Sequence, residues 1–341
     1  MRTKAIILTL LAGAAIQLFT ACERRPLEDT YAESALIPVK IDWSVSNIPV
    51  SDPSGSGYVH RVSLRFYPKD GSAPFDRYLE TNVIEGQIEV PIGEYSVIVF
   101  NEAVGDVYWE DAVTFSDADS YENFAATLVA DDAANYPFYK PLLGEDLRVE
   151  PLRLASWSLD DFSVTEDMVK ITRYGTGTPT GSTIREINAL TVVKMRALTY
   201  TVNVTVHVEN LVSAQLIQGA VRGFAQKVYM ASAQTVQIPV THVFRLNSRR
   251  WDDAAQIHGT VSKSFLSFGR LPQASDYWLN LDVLYGTGVL HPDPLLYDVS
   301  DQVNDSPQIS INIDIGVDIR IPYIEGGIGV GDWDDETIII Q

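Results

Sequence analysis

The sequence predicts an all-β protein made of β-sandwich domains, on three observations. Apolar and polar residues alternate along several segments, the period of strands with one covered face. Turn residues separate those segments, and few stretches have a helical period. The 341 residues, 46% hydrophobic and 21% charged, have the composition of a folded chain. They are long enough for two domains that each bury a core without disulfides.

The first element is an export signal. Arg2 and Lys4 precede an uncharged run, Ala5 to Leu18. That is the length of a signal-peptide core and too short for a membrane-spanning helix, which takes ~20 apolar residues. Phe19-Thr20-Ala21-Cys22 follows. A small residue before a cysteine is what lipoprotein signal peptidase requires, so cleavage after Ala21 and lipidation of Cys22 are expected. The other reading is an ordinary signal peptide ending near a cysteine. Cys22 is the only cysteine in the chain, which excludes an internal disulfide and favours lipidation. One acyl chain anchors only marginally, whereas two or more hold stably. Removal of residues 1–21 leaves 320 residues with 23 basic and 45 acidic side chains, a net charge of −22. Such a surface argues against nucleic acid and against electrostatic docking on anionic lipid.

Residues 22–36 read as a lipidated tether. An N-terminal β-sandwich domain is expected over 37–174. Strand signals run through Ile37–Trp43, through Tyr58–Phe66 with Tyr58, His60, Val62, Leu64 and Phe66 on one face, and through Glu94–Phe100. Arg61, Ser63 and Arg65 take the opposite face of the second of these. Residues 101–170 mix acidic loops with apolar pieces and yield no order by pattern alone. Tyr174-Gly-Thr-Gly-Thr-Pro-Thr-Gly181 is the expected linker.

A C-terminal β-sandwich domain is expected over 182–341. Thr199–Glu209 places Tyr200, Val202, Val204, Val206 and Val208 on one face. Ile309–Ile321 has Ile or Val at every odd position, a long strand with a bend expected at Gly316. Tyr277–Tyr285 also alternates. Val212–Lys227 has some helical character despite Gly219 and Gly223. Long alternating strands need partners, and one left at an edge is a template for another chain's strand.

Signs of catalysis are missing. His60, His207, His242, His258 and His291 do not cluster in sequence, and no cysteine remains to help them hold a metal. His60 reads as a core residue and His207 as solvated. The pairs Glu110-Asp111 and Asp160-Asp161, and the run Asp334-Asp335-Glu336, are expected by chance among 45 acidic residues. Gly326–Gly331 lacks the Lys-Ser/Thr ending of a phosphate loop, and no Gly-x-Ser-x-Gly elbow is present. No catalytic residue, metal ligand or cofactor is expected.

Several pieces in order resemble the two-domain fimbrillin and fimbrial anchor lipoproteins of gut and oral anaerobes. They are Cys22-Glu-Arg-Arg-Pro-Leu-Glu28, Leu36-Ile-Pro-Val-Lys-Ile-Asp-Trp43, Val62-Ser-Leu-Arg-Phe-Tyr67, Pro91–Asn101 and the Gly329-Val-Gly-Asp-Trp333 finish. The resemblance implies two transthyretin-like sandwiches in tandem and a structural role in adhesion or fimbrial assembly, with subunits joined by strand addition. Shaft subunits of that group lose an N-terminal segment to an arginine-specific protease. Here Arg24 and Arg25 lie directly after Cys22, so cleavage there would release the anchor without opening a groove. This favours an anchor-like or accessory role at the outer membrane, and leaves open which side the protein faces. The alternative is a glycan-binding surface lipoprotein of a polysaccharide-uptake system, stacking sugars on Trp43, Trp109, Trp157, Trp251, Trp278 or Trp333.

Overall fold

The computed structural model describes residues 34–319, apart from 49–58, 60, 81, 103–110, 140, 142–143, 274, 292 and 308. Cys22, Ala21, His60, Glu110, Trp109, Trp333, the Gly326–Gly331 stretch and the Asp334–Glu336 run lie outside the described residues. In chain order the first half contains β1 (Ser34–Asp42), β2 (Val62–Pro68), β3 (Phe75–Leu79), β4 (Glu85–Pro91), β5 (Gly93–Asn101), β6 (Val113–Ser116), β7 (Ala125–Leu128) and β8 (Ala155–Val164). Helices α1 (Glu166–Tyr174) and α2 (Gly181–Ile187) follow, then the short strands β9 (Val193–Lys194) and β10 (Arg196–Ala197). The second half runs β11 (Tyr200–Glu209), β12 (Ala214–Ala225), β13 (Lys227–Tyr229), β14 (Pro239–Arg245), β15 (Ser248–Trp251), β16 (Gly259–Ser267), β17 (Trp278–Tyr285) and β18 (Leu295–Asp298). Helix α3 (Ser300–Asp305) and β19 (Ser310–Asp318) complete it. The all-β expectation is borne out.

Each half stacks two sheets. In the first, a sheet ordered β4-β1-β9 faces one ordered β10-β8-β5-β2-β3. Alternate residues point inward: Ile37, Val39, Leu64, Phe66, Val97 and Val99 are almost wholly buried in one core. In the second, β15-β16-β11-β19 faces β14-β12-β17-β18. Val202, Val204, Val206, Ile311 and Ile313 meet Ile217, Val221, Leu279 and Leu281. β19 pairs in parallel with β11, and its register runs unbroken through Gly316.

A third layer joins the halves. The small sheet β13-β7-β6 takes β13 from the second half and pairs it with β7 of the first. It covers the outer face of the five-stranded sheet, where Tyr67, Ile98 and Phe100 pack with Phe124, Leu128, Val228 and Met230. Ser156 and Ser158 donate to the carbonyls of Met230 and Ala231, both at 2.7 Å. The irregular region after residue 101 thus supplies most of the layer that binds one sandwich to the other.

Two expectations change. Of residues 174–181, Tyr174 ends α1 and Gly181 starts α2, and only 175–180 lie between the two helices, which touch each other. The residues after them, Leu190, Val193 and Met195, belong to the first core. The chain crosses to the second core only between Ala197 and Tyr200. The helical reading of Val212–Lys227 is overturned, because this segment carries β12, hydrogen-bonded to β14 on one side and β17 on the other. A central strand covered on both faces loses its alternation and cannot be told from a buried helix by period. Its glycines have a packing reason. At Gly223, φ is +117° and an added Cβ would lie 2.7 Å from the Tyr277 ring. The pairing with β14 shifts register there.

Candidate functional site

Subunit assembly by strand addition turns on whether strand edges are open, and three edges of this chain are closed by different means. β1 is an inner strand. Along Ser34–Lys40 it pairs antiparallel with β4, and at Ile41 and Asp42 it pairs in parallel with β9. On the side away from β4, the Leu36 N–H donates to Thr172 Oγ1 of α1 at 3.0 Å. The Lys40 N–H donates to the Leu190 carbonyl at 3.0 Å. Between them sits Pro38, which has no N–H to offer. Arg173 of α1 holds the start of β1 by hydrogen bonds to the Ser34 carbonyl and side chain, and forms an ion pair with Glu89. Helix α1 itself is set by Thr165, whose side chain accepts from the Met168 N–H, and by Gly175 at φ +62°.

β19 lies at the edge of its sheet, and α3 covers part of it. Gln302 acts as a surrogate strand: its Oε1 accepts from the Asp314 N–H at 2.7 Å and its Nε2 donates to the Asp314 carbonyl at 3.0 Å. The Asn312 N–H donates to Ser306 Oγ at 3.0 Å. β14 is closed by the segment at 146–148. The Thr241 N–H donates to the Asp146 carbonyl at 2.9 Å and the Arg148 N–H donates to the Thr241 carbonyl at 3.0 Å. Arg148 is fixed in turn by Asp146 and by the Leu128 carbonyl. His242 is buried beside it, with Nδ1 3.2 Å from the Arg148 carbonyl. Burial pushes its imidazole down to about 4, while that hydrogen bond opposes the shift.

The side chains singled out in the sequence scatter. His207 is exposed on the polar face of β11, with Nε2 3.0 Å from Asp314 Oδ1. Among the described residues no three His, Cys, Asp or Glu side chains gather closely enough to hold a metal ion. No helix among them is long and apolar enough to cross a membrane. Trp43, Trp157 and Trp251 are half-buried against the two cores, and the Trp43 indole donates to the Val83 carbonyl at 3.1 Å. Trp278 is 40% exposed. The edge-closing residues Pro38, Thr172, Gln302 and Ser306 escaped the sequence reading. Only Pro38, inside an alternating strand, carried a local signal.

Residues 21–245 match a family described as "Domain of unknown function (DUF5119)". The chain belongs to this family. A stretch of 114 residues is 33% identical to the "Putative fimbrium anchoring subunit Fim4B" of Bacteroides ovatus, and covers 33% of this chain and 29% of that protein. The chain therefore spans less than a third of that relative's length. A crystal structure described as "a putative adhesin from Bacteroides ovatus" superposes with a TM-score of 0.51 at 16% identity, covering 88% of this chain and 98% of the other. That likeness shows a shared fold. "The fimbrial anchor protein Mfa2 from Porphyromonas gingivalis" aligns at 12% identity with a TM-score of 0.45, over 84% of this chain and 90% of its own. The match to the fimbrium anchoring subunit bears out the resemblance to the fimbrial anchor group.

Proposed function

We propose that this DUF5119 protein is an outer-membrane lipoprotein with a structural role in adhesion or fimbrial assembly, anchor-like or accessory rather than a shaft subunit. The match to the fimbrium anchoring subunit carries the proposal. In this reading Ala21 is the last residue removed, Cys22 carries the lipid, and the tether expected over residues 22–36, shortened because β1 starts at Ser34, links two sandwich domains to the membrane. The inner position of β1 supports the anchor-like role. Cleavage at Arg24 or Arg25 would leave the whole of β1 seated between β4, β9 and α1, so no groove would open for an incoming strand. A lipid supplies attachment and leaves assembly to the protein surface. Mass spectrometry of the N-terminal peptide from the membrane fraction should find acylated Cys22, and Cys22→Ala should move the protein to the soluble fraction. An unmodified Cys22, or cleavage elsewhere, defeats the lipoprotein part. Co-purification with filaments is expected for the assembly role. Purified protein that polymerises after arginine-specific proteolysis would make it a shaft subunit instead.

A further inference from the structure

The polar face of β2, which has no part in edge closure, lines a cavity of about 460 Å³. The cavity lies on the outer side of the five-stranded sheet and is lined from β2, β3, β5 and β6. Its apolar wall is Phe100, Phe115 and Phe124, whose ring centroids lie 5.5–5.6 Å apart. Facing them are Arg65, Asp76 and Glu102, whose side chains are only 18%, 25% and 21% exposed. Arg65 is rigidly held. Its Nε donates to the Ala118 carbonyl at 2.9 Å, its Nη1 to both Asp76 oxygens at 2.9 and 3.2 Å, and its guanidinium stands 5.6 Å from the Phe124 ring centre. Glu102 is tied to Arg61 and Ser63. These side chains are pre-organised by one another, so little ordering is needed on binding.

We infer that this cavity is a carbohydrate-binding site that takes a single pyranose ring, with the apolar face of the sugar on the phenylalanines. The chemistry argues by elimination. An apolar ligand would bury Arg65, Asp76 and Glu102 without replacing their water, at a cost of several kcal/mol for each charge. A cation would meet Arg65 and an anion would meet the two carboxylates. A neutral ligand rich in hydroxyls supplies donors to Asp76 and Glu102 and acceptors to Arg65, while its C–H face covers aromatic rings. The volume lies within the range of small-molecule pockets. The inference stands apart from the anchoring role, since it needs neither the lipid nor a filament.

The test is saturation-transfer NMR on the full mature chain in detergent, using the methyl glycosides of galactose, mannose, fucose and N-acetylglucosamine, with lysine amide as a cationic probe. Transfer to ring C–H protons of at least one glycoside is expected. Thr114→Trp adds bulk at the rim of the cavity, which Thr114 lines from an exposed position on β6, and should weaken binding about tenfold or more. Asp76→Asn should weaken it too, and Trp278→Ala should leave it unchanged. Unaltered thermal unfolding of Thr114→Trp shows that the loss is local. Should that variant unfold, the Asp76→Asn titration decides alone. No transfer to any glycoside, transfer that survives both pocket variants, or binding of lysine amide alone overturns the site.

Discussion

Two of the large sheets, β15-β16-β11-β19 and β10-β8-β5-β2-β3, are covered differently. In the second half, β11 and β19 bury Val and Ile on one face and show Asn203, His207, Asn312 and Asp314 on the other. Asn203 donates to Asn312 at 3.0 Å and accepts from Ser264 at 2.7 Å, which keeps that open face polar and ordered. In the first half, β5 is buried on both faces from Val97 to Asn101. Its inner face meets the main core, and its outer face meets the small sheet β13-β7-β6. Strict alternation therefore reports one dry face, and its loss reports a further layer.

Truncation of a side chain under the third layer should have the largest effect. Ile98 is fully buried on the outer face of β5, within the cluster that includes Phe124 and Met230. Ile98→Ala should lower stability by about 2–5 kcal/mol in urea denaturation. A change below about 1 kcal/mol would mean that the outer face is as open as that of β11, and the contrast between the sheets would collapse.

The next effect concerns the segment that closes β14. The buried His242 folds neutral, since its imidazole is held at about 4, below its ordinary value of 6.5. A depressed folded pKa means that the stabilisation is complete above pH 6.5 and is lost as pH falls toward 4. The loss should approach about 3 kcal/mol. It should appear as a drop in the urea midpoint between pH 7 and pH 4.5 that is absent in His242→Gln. Equal drops in both proteins would place the pH dependence elsewhere.

Legibility followed the same physics. β11 was readable almost to the residue because Val202, Val204, Val206 and Val208 alternate with polar neighbours. β12 was not, because Gln218 and Ala220 on its outer face are buried as deeply as Ile217 and Val221 on its inner one. Its apolar period was erased by covering, and Gly219 and Gly223, which counted against the helical reading, are close-packing positions against Phe244 and Tyr277. Gly-Thr-Gly-Thr-Pro-Thr-Gly looked like a linker because the cap of α1 and the start of α2 use the same residues a linker does. Closure of β19 by Gln302 was invisible, since a lone glutamine in a short helix has no pattern.

That closure can be broken directly. Gln302→Ala removes two hydrogen bonds to Asp314, each contributing about 0.5–1.5 kcal/mol. A loss of about 1–2 kcal/mol is expected. The exposed backbone should also promote association, visible as concentration-dependent sedimentation. A variant that stays monomeric would show that Gln302 contributes only to stability.

The smallest effect belongs on the open face. His207 and Asp314 are paired there with both side chains more than half exposed. Removing a pair so open to water should cost within about 1 kcal/mol, and salt should reduce any charge-dependent part of it. His207→Ala measured at low and high ionic strength checks both points. In the purified protein the face should behave as solvated. A larger penalty that appears only in the native envelope would mean that something covers the face there. The contrast between the two sheets would then be one between a layer supplied by this chain and a layer supplied by a partner.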